Sequence, residues 1–138
     1  MCSLDFSEEA HAIYEKLLEK GHSASLPYTI QRFLKGESTL EEIQEMKAAG
    51  EFVRYVISRD IIRENWERMK GDDAVLVVNS FKKGIENYIG GNTFLEMGFA
   101  HIANMKIFLW RDIPNMSYTE EILAMQPIVL SENLDAIQ

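Results

Sequence analysis

The sequence predicts one α/β domain with a mostly parallel β-sheet. Three apolar runs of strand length occur at residues 74–78, 107–110 and 127–130. Continuous apolar runs of this length are typical of parallel strands that are covered on both faces. Segments with helical spacing separate the runs, and this alternation favours a largely parallel sheet. With 138 residues, of which 46% are hydrophobic, the chain is long enough for one domain with its own core.

The elements before the first apolar run are predicted from start and stop signals. Ser7 is followed by two glutamates, which predicts the N-cap of a helix that continues to about Lys20 and is stopped by Gly21. Residues 22–26 form a short strand candidate that a proline closes. Residues 28–34 have room for a helix of one or two turns.

The remaining helices are predicted from apolar residues at helical spacing. Residues 39–70 follow this pattern, with a break at Gly50, and Thr39 forms a capping box with the glutamate three residues later. A helix over about 93–104 separates the first two strands, and a short helix over 118–125 precedes the last one. The order of elements is therefore that of repeated strand–helix–strand units.

The amino terminus is unusual for this fold class. A doubly wound sheet begins with a full strand before its first helix, and only residues 1–4 are available for it here. We therefore predict a flavodoxin- or Rossmann-like three-layer fold of four or five strands, in which the first strand is short or missing. Either this strand is a stub or the natural chain starts upstream of Met1.

Composition excludes several classes of function. The net charge of −8 and the pI near 4.9 argue against a surface that tracks a nucleic acid polymer. Cys2 is the only cysteine, and the three histidines lie far apart, so we expect no disulfide and no metal centre. We also expect no organic cofactor. No apolar stretch approaches the about 20 residues that span a bilayer, and the acidic amino terminus lacks a signal-peptide core. The expected location is the cytoplasm, without a membrane partner.

The stretch YIGGNTFLEMGFAHIANMKIFLW places one carboxylate, Glu96, inside an otherwise apolar helix. Thr93 and Glu96 fit the capping-box pattern, in which the glutamate merely caps the helix. A functional interpretation rests on three other features. The helix is apolar nearly all round, its start lies at the carboxyl edge of the sheet, and residues 90–93 (Gly-Gly-Asn-Thr) offer backbone N–H groups to an anion.

A carboxylate beside an anion cradle suggests chemistry on a sugar phosphate or nucleoside. Cleavage at an anomeric carbon passes through an oxocarbenium-like transition state, which a carboxylate stabilises or captures while a second acid assists the leaving group. Asp72 and Asp73 precede the first apolar run, at the edge of the sheet opposite to Glu96. The two aspartates are either candidates for the second acid or part of a solvated turn.

Three segments resemble the nucleoside 2-deoxyribosyltransferase-like family, which includes 2'-deoxynucleoside 5'-phosphate N-hydrolases. They are GDDAVLVVN (71–79), GGNTFLEMGFA (90–100) with KIFLW (106–110), and EKGHSASLP (19–27). The resemblance implies that Glu96 is the nucleophile that attacks C1' and that Asp73 is its acid/base partner. It also implies a homodimer or a higher homo-oligomer with sites near subunit contacts. The segment from Gly90 is similar, less closely, to the PGGxGTxxE signature of cytokinin-activating phosphoribohydrolases.

Two departures from the family pattern concern the site. Transferases of the family commonly carry an aspartate six residues before the nucleophile, where this chain has Gly90. The loop after the first strand is represented only by residues 2–6, among which Ser3 is a candidate contact for the sugar or phosphate.

Other candidate substrate contacts lie around the predicted carboxyl edge. They are Asn79, Tyr88, Gly90, Gly91, Asn92 and Thr93. Asn79 is equally consistent with a residue that ends a strand, and Tyr88 with packing. We therefore expect cleavage or transfer of the N-glycosidic bond of a small-molecule substrate, a 2'-deoxynucleoside or its 5'-monophosphate. The alternative is a nucleotide-binding sensor or signalling module with little or no catalytic activity.

Overall fold

The computed structural model describes residues 1–137 and has helices on both faces of a small parallel sheet. Short 3-10 turns cover Leu4–Phe6 and Leu134–Ala136. The helices and strands, in chain order, are α1 (Ser7–Glu19), α2 (Tyr28–Leu34), α3 (Leu40–Ala48), α4 (Glu51–Arg59), α5 (Ile61–Met69), β1 (Ala74–Val77), α6 (Gly91–Ile102), β2 (Lys106–Leu109), α7 (Thr119–Ala124) and β3 (Ile128–Val129). None of the helices within residues 1–137 is long and apolar enough to cross a membrane.

The sheet has three parallel strands in the order β1-β2-β3. Val75 lies opposite Ile107, and Phe108 lies opposite Ile128. Helices α6 and α7 form the two crossovers, as the alternating pattern predicts. The α/β class and the parallel sheet are therefore as predicted, but the sheet is smaller than four or five strands.

The amino-terminal residues form a single bridge with the sheet instead of a strand. Cys2 forms an isolated parallel bridge with Val78, on the edge of β1 that faces away from β2. Residues 22–26 have no regular secondary structure, so the prediction of a strand there is wrong. The physical reason is that no neighbouring strand completes a hydrogen-bond ladder with this segment.

Side chains alternate between two cores along the strands. Val75, Val77 and Ile107 point to the face covered by α5, α6 and α7, where Met69, Met97, Ala100 and Ile122 are buried. Val78 and Phe108 point to the other face, where Ala10, Ile13 and Ile30 from α1 and α2 are buried. The strands are covered on both faces, which explains their continuous apolar runs.

Helix boundaries follow the predictions in part. Thr39 and Glu42 form the predicted capping box, and Gly50 makes the predicted break in the left-handed conformation, with φ 72°. A second break occurs at Asp60, a left-handed residue with φ 45°, whose carboxylate caps α5. The prediction for Ser7 is wrong by one position, because Ser7 is the first residue of α1 and its hydroxyl donates to the carbonyl of Leu4.

Candidate functional site

Glu96 lies in the second turn of α6 and is 7% exposed. The helix begins at Gly91 with Gly90 as its N-cap, and Phe94 N–H donates to the Gly90 carbonyl at 2.9 Å. Thr93 is therefore inside the first turn, and the capping box that Thr93 and Glu96 would form is absent. Capping does not explain a buried carboxylate at this position.

Aromatic contacts fix the start of α6. Tyr118 stacks on Phe94 with 4.5 Å between ring centroids, and its hydroxyl donates to the carbonyl of Ile89. Ile89 is itself only 1% exposed. The first turn of the helix carries Asn92 and Thr93 and leads into the turn of Glu96. These contacts therefore attach it to the close-packed core.

Two cations act on the Glu96 carboxylate. Burial raises the pKa of Glu96, while the amino group of Met1 and the guanidinium of Arg68 oppose the shift without cancelling it. The Met1 ammonium donates to the carbonyl of Leu76 at 2.6 Å, and burial lowers its own pKa. Glu96 is thus a buried acid whose proton is held more tightly than in water, next to groups that favour its ionised form.

The space in front of Glu96 is small. A cavity of about 10 Å³ separates α6 from α4 and α5, which is room for one water molecule and not for a nucleoside. Its lining consists of Val56, Ile61, Ile62, Asn65, Asn92, Leu95, Glu96 and Phe99. The predicted contact Asn92 therefore shares a cavity with Glu96, and Asn65 is a polar neighbour that the sequence analysis missed. The feature of the sequence that could have indicated Asn65 is a polar residue inside the helical pattern of α5.

Asp73 is not brought to Glu96. It is exposed, precedes β1 at the amino edge of the sheet, and lines a separate groove of about 900 Å³. The linings of this groove and of the Glu96 cavity have no residue in common. The reason is topological, since α6 starts at the carboxyl edge, one strand length from the residue that precedes β1.

The side chain of Asn79 is committed to the backbone. It is fully buried, its amide donates to the carbonyls of Asp112 at 2.9 Å and Arg111 at 3.3 Å, and its oxygen accepts from Arg111 N–H at 2.8 Å. These bonds join the end of β1 to the loop after β2. The arrangement matches the alternative of a residue that ends a strand, with its polar atoms already paired.

Ser3 and Tyr88 are brought together around Lys82. The Lys82 ammonium donates to Ser3 Oγ at 2.7 Å and forms an ion pair with Asp5. It also lies 5.8 Å from the centre of the Tyr88 ring. These residues form a polar group at the carboxyl edge of the sheet. The group lies near the predicted anion cradle, because the Tyr88 ring also approaches Gly90.

The two glycines of the cradle are not required by the backbone. Gly90 has φ −74°, and an added Cβ at Gly90 would meet only Tyr88 at 3.5 Å. An added Cβ at Gly91 would meet no atom within 4 Å. Gly91 therefore faces open space at the start of α6, where the helix dipole is positive.

A second polar cluster at this edge was missed by the sequence analysis. Arg111 donates to Glu9 and to Glu132, each at 2.6 Å, and Ser80 joins Glu9 and Arg111. Burial alone would raise the pKa of Glu9, but the bonds from Arg111 and Ser80 lower it. The signal was positional, since Ser80, Arg111 and Glu132 each follow a strand shortly after its end. Polar residues there meet at the carboxyl edge.

Within residues 1–137, no three histidine, cysteine, aspartate or glutamate side chains form a group that could hold a metal ion. Comparison of the chain with protein-family models, with curated proteins and with solved structures finds no match.

Proposed function

We propose that the protein cleaves or transfers the N-glycosidic bond of a 2'-deoxynucleoside or its 5'-monophosphate, with Glu96 as the nucleophile. The observation that carries this proposal is a buried carboxylate in the second turn of α6 that does not cap its own helix. Fully buried acids are rare unless they are paired or functional. The resemblance of the surrounding sequence supplies the reaction class.

The reaction balances with one nucleophile and one proton donor. The ionised carboxylate of Glu96 attacks C1', the C1'–N bond breaks, and the base leaves with its electron pair and takes up a proton. Water then hydrolyses the glycosyl-enzyme, or a second base accepts the sugar. The departing base takes its proton from water in this proposal, because Asp73, the acid that the resemblance implies, lies in the separate groove. A direct test of Asp73 is therefore part of the experiment below.

The carboxyl edge offers candidate groups for the rest of the substrate. The free face of Gly91 and the first turn of α6 suit a phosphate, with Lys82 and Ser3 close to the same edge. Tyr88 offers a ring for stacking on a base. Because a nucleoside does not fit the space of about 10 Å³ in front of Glu96, this proposal requires α5 and α6 to separate when substrate binds.

We also propose a homodimer whose contact surface borders this cavity. No residue of α4 is buried, although Val53 and Ile57 lie one turn apart on it and are 61% and 72% exposed. Ile62 and Leu95, at the cavity, and Ile102, which is 81% exposed, extend this apolar surface across α5 and α6. A surface of this kind is typical of a protein interface. A partner subunit there would border the Glu96 cavity.

One alternative has an observation in its favour. The small volume in front of Glu96 and the distant position of Asp73 suit a module that binds a nucleotide at the carboxyl edge without turnover. Gly90 in place of the aspartate of the transferases favours the same reading. The two functions make different predictions for product release.

The test is incubation of the protein with each 2'-deoxynucleoside and each 2'-deoxynucleoside 5'-monophosphate, with and without a free acceptor base. Free base and exchanged nucleoside are separated by chromatography. The enzyme hypothesis predicts release by wild type and by Glu64→Gln, a matched change of an exposed glutamate, but not by Glu96→Gln. Asp73→Asn tests the acid/base role separately. Saturable binding without release supports the sensor, and neither binding nor release contradicts both.

A further inference from the structure

Three lysine side chains converge at the carboxyl edge of the sheet, in a chain whose net charge is −8. Lys82 and Lys83 lie in the loop between β1 and α6, and the ammonium group of each is 5.8 Å from the centre of the Tyr88 ring. Lys47 approaches them from the last turn of α3. Burial lowers the pKa of Lys47, and the charges of Lys82 and Lys83 lower it further, against the opposing effect of Asp5. We call Lys47, Lys82 and Lys83 the basic cluster.

A tight turn holds the two loop lysines of the basic cluster. Lys82 N–H donates to the Ile85 carbonyl at 3.1 Å, and Ile85 N–H donates to the Lys82 carbonyl at 2.9 Å. The two residues between them, Lys83 and Gly84, have φ 55° and φ 75°. Positive φ at both central positions is typical of the type I′ turn of a two-residue hairpin. The turn therefore fixes the backbone from which both lysine side chains extend to the Tyr88 ring.

The basic cluster has more positive than negative charge. Lys82 forms an ion pair with Asp5. Within residues 1–137, neither Lys47 nor Lys83 forms an ion pair, and Glu86, an acid of the same loop, pairs with none of the three lysines. Two of the three ammonium groups are therefore uncompensated. Like charges held close together repel one another, and a bound anion would remove this cost.

A small phosphate ester is the ligand that fits the basic cluster. Lysine ammonium groups bind phosphate as point charges, and a phosphate monoester carries about −1.5 to −2 charge at pH 7, which matches the two uncompensated cations. Ser3 adds a hydroxyl group, which accepts from Lys82 at 2.7 Å and donates to Asp5 at 2.8 Å. A nucleic acid polymer does not fit, because the net charge of −8 repels a long polyanion.

The basic cluster borders the start of α6. The Tyr88 ring, near which both loop lysines lie, is 3.5 Å from the position of an added Cβ at Gly90, the N-cap of this helix. Helix α6 has no acidic residue in its first turn, so its positive end adds to the potential of the lysines. A phosphate bound there lies at the end of the helix that carries Glu96 in its second turn.

We propose that the basic cluster binds the phosphate of a nucleotide, so that the ligand of the carboxyl edge is a nucleoside 5'-monophosphate and not the free nucleoside. The nucleoside part of this ligand rests on the proposed function, because the cluster recognises only the phosphate charge. The phosphate contact selects between the two substrate classes that the proposed function names. It does not involve Glu96, so binding at the cluster is independent of turnover.

The test measures, by calorimetry, binding of inorganic phosphate, of each 2'-deoxynucleoside and of each 5'-monophosphate. Glu96→Gln is the parent chain for these measurements, because under the proposed function it leaves a substrate intact. Lys47→Gln and Lys83→Gln each remove one charge of the basic cluster, and neither lysine has an ion pair to lose within residues 1–137. Lys16→Gln is the matched control, since this exposed lysine of α1 also forms no ion pair in the described part of the chain. Lys83→Arg keeps the charge at the turn.

We expect the 5'-monophosphates to bind about 100-fold more tightly than the nucleosides, and Lys47→Gln and Lys83→Gln each to weaken monophosphate binding about 10-fold. Inorganic phosphate should bind the parent chain and lose affinity in the same two variants. Lys16→Gln and Lys83→Arg should bind as the parent chain does. Equal affinity for nucleosides and monophosphates, failure of inorganic phosphate to bind, or unchanged monophosphate binding in either glutamine variant of the cluster would overturn the proposal.

The basic cluster and the proposed catalysis fail in different ways. Monophosphate binding that depends on Lys47 and Lys83, with no release of base by wild type, would support the cluster and contradict the catalysis. Release of base by wild type from nucleosides and monophosphates with equal kcat/KM would support the catalysis and contradict the cluster.

Discussion

The role of Asn79 gives a prediction that separates structure from substrate binding. Its amide is fully buried and makes three hydrogen bonds to the backbone of Arg111 and Asp112, of which two are short, at 2.8 and 2.9 Å. In Asn79→Ala the Arg111 N–H and two carbonyls lose this partner. A group left without a partner away from water costs about 1–3 kcal/mol. Arg111 is half-buried and Asp112 is exposed, so the cost for each of these groups lies towards the lower end, and the bond of 3.3 Å contributes least.

We therefore expect Asn79→Ala to lower the free energy of unfolding by about 2–4 kcal/mol, which corresponds to a fall in Tm on the order of 10 °C for a domain of this size. Urea denaturation followed by circular dichroism measures the change, with Asn115→Ala as the matched control at an exposed asparagine. A loss below about 1 kcal/mol would refute the reasoning. A large loss of nucleotide affinity at unchanged stability would assign Asn79 to the substrate instead.

Three further predictions concern the pH response, the cradle and the oligomer. The raised pKa of Glu96 means that its stabilising contribution is complete below the unfolded value near 4.5 and is lost as pH rises through the folded value. Glu96→Gln is therefore expected to raise Tm above wild type at pH 8, with the gap closing towards pH 4; a constant gap contradicts the burial argument. The methyl group added by Gly91→Ala meets no atom within 4 Å, so this change should alter the free energy of unfolding by less than about 1 kcal/mol. If a phosphate contacts this turn, the same change should weaken binding of a deoxynucleotide at least 10-fold. Equal affinity of the variant and wild type in calorimetry would contradict the anion cradle. The double change of Ile57 and Ile102 to lysine should convert a dimer into a monomer in sedimentation at unchanged Tm, and a wild-type monomer would contradict the proposed contact surface.

The sequence predicts the elements whose signals are local. The three apolar runs became β1, β2 and β3 within one or two residues, and Gly50 broke the long helical region as predicted. The break at Asp60 was not predictable in this way, because residues other than glycine are uncommon in the left-handed conformation and Asp60 gives no glycine or proline signal. The predicted strand at 22–26 failed since strand formation depends on a neighbour that no local pattern contains.

In the candidate site too, features with a local signal were predictable and features that depend on distant contacts were not. A buried carboxylate in α6 was foreseen from one acid inside an apolar pattern, and the structure places Glu96 there. The approach of Met1 and Arg68 to Glu96 was not foreseen, because it depends on packing between distant parts of the chain. The separation of Glu96 from Asp73 follows from the direction of β1, which the sequence analysis had already indicated.

The central claim is that the Glu96 carboxylate forms a bond to C1' of a deoxyribose. The most direct measurement is acid quenching of the protein during incubation with 2'-deoxynucleosides and their 5'-monophosphates, followed by mass spectrometry of the intact chain and of its peptides. The proposed function predicts a deoxyribosyl adduct on the peptide that contains Glu96, absent in Glu96→Gln. Base release that continues in Glu96→Gln, or an adduct on another residue, would contradict it.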